Sequence, residues 1–337
     1  MQSKNSQNKD KSNILIFNEN LNQSSSLIER MDWFKSYREK ITHWLNTLIV
    51  DQNVTNLCVI AAGNLADVDY LSLQESSLTS VVLTDIDLKG MQEGYSYQNL
   101  EKVSHHLTFT LRAINYLGEE SEDLIRTFLQ EMHRQPQNPQ EKIDDLINKL
   151  AHSIDKMTTS SITSLPVISQ ENHTVRGYDG VLVLPIYTQL LFFQLDVELH
   201  AVSCWQANRH YFFSQMASII ERFNQWVVSL VKQGGSLLVF SDIIEEKLNE
   251  PEMTEPEMTE PEKNESKSTF LKATEISSQV VCKAIDTYEA MYGHGLGSYG
   301  LLNMAELASQ QEEYYLSWRF DQERRFLVKG VRFIVTT

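Results

Sequence analysis

The residues best suited to chemistry lie in two stretches, Val59–Asp69 (VIAAGNLADVD) and Val81–Asp87 (VVLTDID). The first is an apolar run that ends in small residues, which lets the backbone turn tightly and approach a ligand closely. A helix after such a turn would present free N–H groups and the positive end of its dipole. The second run ends in acid, with Asp85 lying 22 residues after Gly63. Adenosine-binding α/β folds place a carboxylate there to accept hydrogen bonds from ribose hydroxyls. The plainer alternative is an ordinary strand–turn–helix joint with no ligand.

Other constellations are weaker. Gly295-x-Gly297-x-x-Gly300 matches the dinucleotide fingerprint letter for letter, but that motif works directly after a strand. Here Val281, Ile285, Tyr288 and Tyr292 recur at helical spacing, so a helix leads in. The glycines between 293 and 300 are expected to form a loop over a pocket or a break between helices, with His294 as a substrate-side candidate. His200, Cys204 and His210 are spaced 4 and 6 residues apart, which fits no zinc pattern, so no metal is expected. No serine sits in a nucleophile elbow, and no phosphate loop is present.

These residues need elements to hold them. Short apolar runs at Leu57–Ala62, Ser80–Ile86, Leu107–Ile114, Tyr178–Leu184 and Ser236–Ser241 alternate with helical patterns such as Asp123–Met132 and Tyr211–Val231. Nearly continuous apolar strands alternating with helices indicate a parallel sheet covered on both faces. A leading amphipathic helix is expected over Ser26–Val50. Tyr314–Phe320 and Arg325–Val335, separated by four residues, predict a closing antiparallel hairpin. The segment 118–166 reads as a helical insertion and, with the leading helix, is expected to cover the substrate side of the pocket.

Composition sets the outer limits. With 337 residues and 42% hydrophobic content, the chain can bury a sizeable core. Lys+Arg 29 against Asp+Glu 45 gives a net charge of −16, which disfavours nucleic acid and anionic membrane surfaces as partners. Cys58, Cys204 and Cys282 are three widely spaced thiols without a CxxC pair, pointing to a reducing compartment. Residues 1–24 read as a disordered polar tail, and the apolar run Ile14 to Phe17 is too short for a signal peptide. The expectation is a soluble, cytoplasmic protein with its main domain over 25–337.

With this order of elements, the two chemical stretches resemble class I S-adenosylmethionine-dependent methyltransferases over roughly residues 30–337. The resemblance implies a Rossmann-like, doubly wound, mainly parallel seven-stranded α/β sheet, with the hairpin supplying a sixth strand and an antiparallel seventh beside the fifth. The family's acid and three alternating glycines fall here on Val59, Ala61, Gly63 and Leu65, so only the middle glycine is kept. The resemblance implies S-adenosylmethionine as cofactor, held by Ala61, Ala62, Gly63 and Asn64, by Asp85 and Ile86, by Asn115 near the adenine, and by Pro185. Asn115 could equally cap its strand. Leu184-Pro185-Ile186-Tyr187 stands where amino-methylating relatives carry a polar residue, two prolines and an aromatic; Leu184 cannot hold a target base. Tyr187 and Gln189 are then pocket candidates, or simply the start of the next helix. Methyl transfer to a small molecule or peptide is the leading expectation. An inactive binding or scaffold protein competes with it, and a nicotinamide-dependent oxidoreductase is weaker because of the hairpin.

Residues 251–265 carry six Glu against one Lys in a Pro/Glu pentad repeat. Like charges and proline oppose packing, so 249–268 is expected to be a flexible acidic loop that could dock a protein partner. Replacing 249–267 by a short Gly/Ser linker should leave the melting temperature nearly unchanged, because a doubling of loop length costs only about 0.6 kcal/mol. A calorimetric scan of both forms checks this, and a loss worth several kcal/mol would mean that the segment packs.

Overall fold

The computed structural model describes residues 34–103, 106–164, 177–187, 189–247, 276–319 and 324–336. The expected polar tail, the first turns of the leading helix and the Pro/Glu repeat lie outside them. The apolar runs form strands β1 (Asn56–Ile60), β2 (Ser80–Asp85), β3 (Thr108–Ala113), β4 (Tyr178–Val183) and β5 (Val231–Lys247), followed by β6 (Ser309–Arg319) and β7 (Arg324–Ile334). They make one sheet in the order β3-β2-β1-β4-β5-β7-β6. The first five are mutually parallel, and β7 runs antiparallel to both β5 and β6. This is the strand arrangement that the resemblance implies, with the hairpin's second strand inserted beside β5. Every residue of β4 is buried, as a central parallel strand covered on both faces requires.

One face is covered by α1 (Lys35–Gln52), whose Tyr37, Ile41, Leu45, Leu48 and Ile49 form a buried stripe at helical spacing. This stripe shares a core with Val59, Leu182, Phe240 and Trp318. Helix α2 (Leu88–Tyr97) follows β2. The opposite face carries α3 (Ser121–His133), α4 (Pro139–Ser164), α5 (Phe192–Leu199) and α6 (Ser203–Ser229). Phe128, Ile143, Leu150 and Ile154 from α3 and α4 enter the same core as Val181, Val183, Trp205 and Phe212. Within the segment 118–166 the described residues form α3 and α4, helical as expected, and α4 packs against α6 on this side.

Two expectations change. Helix α7 (Ser278–Tyr292) ends at Gly293, and α8 (Leu296–Leu307) begins at once with Gly295 as its N-cap. Gly297 and Gly300 lie inside α8, where a Cβ would come within 2.2 Å of the Asp242 carbonyl oxygen and 2.6 Å of the Tyr187 ring. The glycine cluster is thus a helix break plus close packing, not a loop over a pocket. Between β1 and β2 there is no α-helix; the chain makes an irregular loop and one 3-10 turn, Tyr70–Glu75. No helix among the described residues is long and apolar enough to cross a membrane.

The amino edge of the sheet is tied by Asp179 on β4. Its Oδ2 accepts from the amides of Thr55 and Asn56, at 2.9 Å each, and from the Thr55 hydroxyl at 2.6 Å, while Lys232 pairs with Oδ1. Burial alone would raise this carboxyl, but Lys232 and the three donors outweigh it and hold the pKa below the ordinary value. A depressed folded-state pKa contributes stability above the unfolded value and loses it as pH falls through the folded one. Asp179→Ala should therefore cost about 2–3 kcal/mol at pH 7, with the gap to wild type shrinking below about pH 4. Urea unfolding at pH 7 and pH 3.5 measures both.

Candidate functional site at the carboxyl edge of β1 and β2

The turn leaving β1 keeps the backbone of a glycine loop although most of the glycines are gone. Ala61 has φ +60°, Gly63 +53° and Leu65 +61°, so all three alternating positions are left-handed. Only Gly63 adopts this without steric cost. The two strained residues are held from both sides. The Ala61 amide donates to Tyr116 Oη at 2.8 Å, and Tyr116 in turn donates to the Thr84 carbonyl oxygen at 2.8 Å. Leu65 is fully buried, and Asn64 next to it lies against Gly94 of α2, where a Cβ would sit 2.0 Å from the Asn64 carbonyl oxygen.

Asp85 closes the site. Its Oδ2 accepts from the Gly63 amide and its Oδ1 from the Asp87 amide, both at 2.9 Å. Burial raises its pKa, with the backbone amides of Asp87, Gly63 and Ile86 pulling the other way. The residue is half-buried and stitches the β1 turn to the end of β2. Asp85 thus has a structural role besides any ligand contact. Asp87 is the N-cap of α2, its carboxylate accepting from the Gly90 amide at 2.9 Å.

Beyond Leu65 the loop is carried by polar side chains. Gln98, buried at the end of α2, donates to the carbonyl oxygens of Leu65 (2.6 Å) and Val68 (2.9 Å) and accepts from the Tyr70 amide at 2.9 Å. Thr42 Oγ1 on α1 accepts from the Asp69 amide at 2.9 Å. Neither Gln98 nor Thr42 stood out in the sequence, since a single polar residue on an amphipathic helix looks like a solvated one. Tyr116 was equally hidden behind its neighbour Asn115.

The remaining candidates divide. Ala62 is buried, whereas Asn64 and Pro185 are half-buried near the strand ends, and Ile86 is 49% exposed beside Asp85. Asn115 caps its own turn, accepting from the Leu117 amide at 3.1 Å and donating to Ser121 Oγ at 2.9 Å, so its side chain is spent on the turn. Tyr187 is not a pocket residue: it is fully buried, packs on Gly300, and donates to Asn224 Oδ1 at 2.9 Å. Gln189 is exposed just beyond it. His294 faces Glu289 at 3.6 Å and lines a cavity of about 80 Å³ with Ser298, Gln310, Glu313 and Lys329. That cavity belongs to α7, α8 and the hairpin, and shares no residue with the β1–β2 edge. Among the described residues, no group of three or more His, Cys, Asp or Glu could hold a metal ion.

Two more carboxyls lie near the edge on the α1 face. Burial, with the charges of Asp242 and Asp85, raises Asp67 to about 7 against the pull of Arg38. Burial raises Asp242, just past the expected end of β5, also to about 7, opposed by the 3.0 Å bond from Trp318 Nε1.

No protein-family model matches the chain, and no curated protein matches it. Solved structures do. The N-methyltransferase NodS from Bradyrhizobium japonicum WM9 is 12% identical, with 90% of this chain and 97% of that chain covered and a TM-score of 0.38. The magnesium protoporphyrin IX methyltransferase ChlM from Synechocystis PCC 6803, with bound SAH, is 10% identical over 96% of this chain and 95% of that one, TM-score 0.39. The arsenic(III) S-adenosylmethionine methyltransferase CrArsM from Chlamydomonas reinhardtii is 10% identical over 84% and 64%, TM-score 0.33. The fold assignment rests on the strand order itself.

Asp85→Ala should lower stability by about 1–3 kcal/mol, because it strands the Gly63 amide in its left-handed turn. Asp87→Ala should cost about 1 kcal/mol through the lost helix cap alone. Urea midpoints of the two variants, with circular dichroism to confirm folding, test the difference.

Proposed function

We propose that the chain binds S-adenosylmethionine at the carboxyl edge of β1 and β2 and transfers its methyl group to a small-molecule or peptide acceptor. The observation that carries this reading is the left-handed backbone at 61, 63 and 65. Strained positions persist where the surrounding structure over-determines them, which occurs most at ligand sites. The residues present also fit the cofactor. Asp85 accepts from the amides of Gly63 and Asp87, and its carboxylate oxygens have further lone pairs with which to receive a ribose hydroxyl. Ile86 offers an exposed apolar surface to the adenine. When bound, the sulfonium supplies an electrophilic methyl, and positioning of donor and acceptor can then provide much of the rate without a catalytic dyad.

A second reading, a binding module without catalysis, is favoured by specific features. The amides of Ala61 and Gly63 are already taken by Tyr116 and Asp85, and no helix dipole follows the turn. Calorimetric titration of the full chain with S-adenosylmethionine, S-adenosylhomocysteine and NAD separates these. The first two should bind and NAD should not. Asp85→Ala should then weaken S-adenosylhomocysteine by about 10- to 150-fold while Asp87→Ala leaves it intact. Binding of none would favour the scaffold reading, and binding of NAD would overturn the assignment.

A further inference from the structure

Three consecutive amides of the β1 turn are spent on neighbouring strand ends. Ala61 N–H donates to Tyr116 Oη at 2.8 Å, Ala62 N–H to the Thr84 carbonyl oxygen at 2.9 Å, and Gly63 N–H to Asp85 Oδ2 at 2.9 Å. Thr84 and Asp85 end β2, but Tyr116 lies beyond β3, in a turn closed by the Gly118 amide on the Asn115 carbonyl oxygen at 3.0 Å. The Tyr116 hydroxyl donates to the Thr84 carbonyl oxygen at 2.8 Å and lies 3.0 Å from Thr84 Oγ1, which donates to the Val59 carbonyl oxygen at 2.8 Å. One phenol oxygen thereby joins the carboxyl ends of β1 and β2 to the chain leaving β3. Helix α6 fixes the ring from the other side, with the Phe223 and Trp226 centroids each 5.9 Å away. Tyr116 is buried, and burial raises its pKa, so the hydroxyl keeps the proton that it donates. The residue held by this fixed point is poorly suited to its conformation. At φ +60° an alanine is disfavoured about 5- to 30-fold against the right-handed region.

We propose that Tyr116 is a positioning residue for the cofactor: its hydroxyl holds Ala61 left-handed, and so sets the Gly63 amide and Asp85 in their places at the binding edge. This rests on the reading of that edge as the S-adenosylmethionine site, and Tyr116 acts there through the backbone without touching the ligand. Tyr116 Oη and the Thr84 carbonyl oxygen are 2.8 Å apart, so the amides of Ala61 and Ala62 converge on one place. Successive amides of an extended strand point to opposite sides, whereas a turn lets them converge. Without the hydroxyl, the Ala61 amide loses its acceptor and the strained conformation loses its support. Glycine enters the left-handed region as readily as the right-handed one, so a glycine at position 61 would need no such hold. Apparent affinity falls with the fraction of molecules in the competent conformation. The effect of the hydroxyl on binding must therefore depend on the side chain at position 61.

The test is a double-mutant cycle of Tyr116→Phe and Ala61→Gly in the full chain, read by calorimetric titration with S-adenosylhomocysteine. Phenylalanine keeps the ring packed on Phe223 and Trp226 and removes only the hydroxyl. Tyr116→Phe alone should weaken binding about 5- to 30-fold. In the Ala61→Gly background the same change should cost only about 2- to 3-fold. Equal losses in the two backgrounds, or an unaltered affinity in Tyr116→Phe, overturn the proposal, because a residue that merely supports the core would act alike in both. Circular dichroism reports folding: loss of the fold in both backgrounds overturns the proposal too, whereas loss confined to the alanine background supports it. Hydrogen exchange without ligand is the second readout. Tyr116→Phe should speed exchange of the Ala62 and Gly63 amides about 5- to 30-fold, leave Leu57 and Cys58 in β1 unchanged, and lose this effect in the Ala61→Gly background. Wild-type titration keeps the two readings apart: failure to bind S-adenosylhomocysteine removes the cofactor reading, while exchange still decides whether Tyr116 holds the turn.

Discussion

A backbone forced left-handed three times in five residues governs the carboxyl edge of this protein. At Ala61 and Leu65 that conformation costs of order 1 kcal/mol each, since a side chain there crowds the following carbonyl. The strain is offset locally. Tyr116 and Asp85 take the amides that the turn would otherwise leave unpaired, and Leu65 is driven fully into the core. The close approach that a third glycine would permit at position 65 is supplied instead by Gly94 on the facing helix. The requirement for a small residue has moved across the contact, not vanished.

The rest of the α1 face follows from that turn. A chain that enters a left-handed conformation at Leu65 and is caught by Gln98 at Leu65, Val68 and Tyr70 cannot start a helix there. The loop is tied to α1 where Thr42 Oγ1 accepts from the Asp69 amide at 2.9 Å.

What the sequence disclosed follows physical lines. The strands were legible because buried parallel strands are apolar throughout, and β4 as YDGVLV is the plainest case. The hairpin was legible because its signal is local. The absent helix after β1 was not, because its cause lies in Gln98, 33 residues beyond Leu65. Tyr187 looked like a pocket residue by position, yet Gly300 and Asn224, distant in sequence, claim both faces of its chemistry. Asp242 was overlooked because the apolar run ends at Ser241, whereas the strand continues to Lys247. Local pattern located the elements; the partners of individual polar groups come from long-range contacts that pattern does not encode.

Replacing a helix by a side-chain-bound loop changes how this part of the molecule opens. Backbone bonds within a helix fray one at a time from its ends. In the loop from Leu65 to Tyr70, one carboxamide holds the carbonyls of Leu65 and Val68 and the amide of Tyr70. When Gln98 lets go, all three are freed together, so the segment opens as a single cooperative unit, with one protection level against hydrogen exchange across the loop. Gln98, with Thr42 holding the Asp69 amide beside it, would then set how readily this loop exchanges.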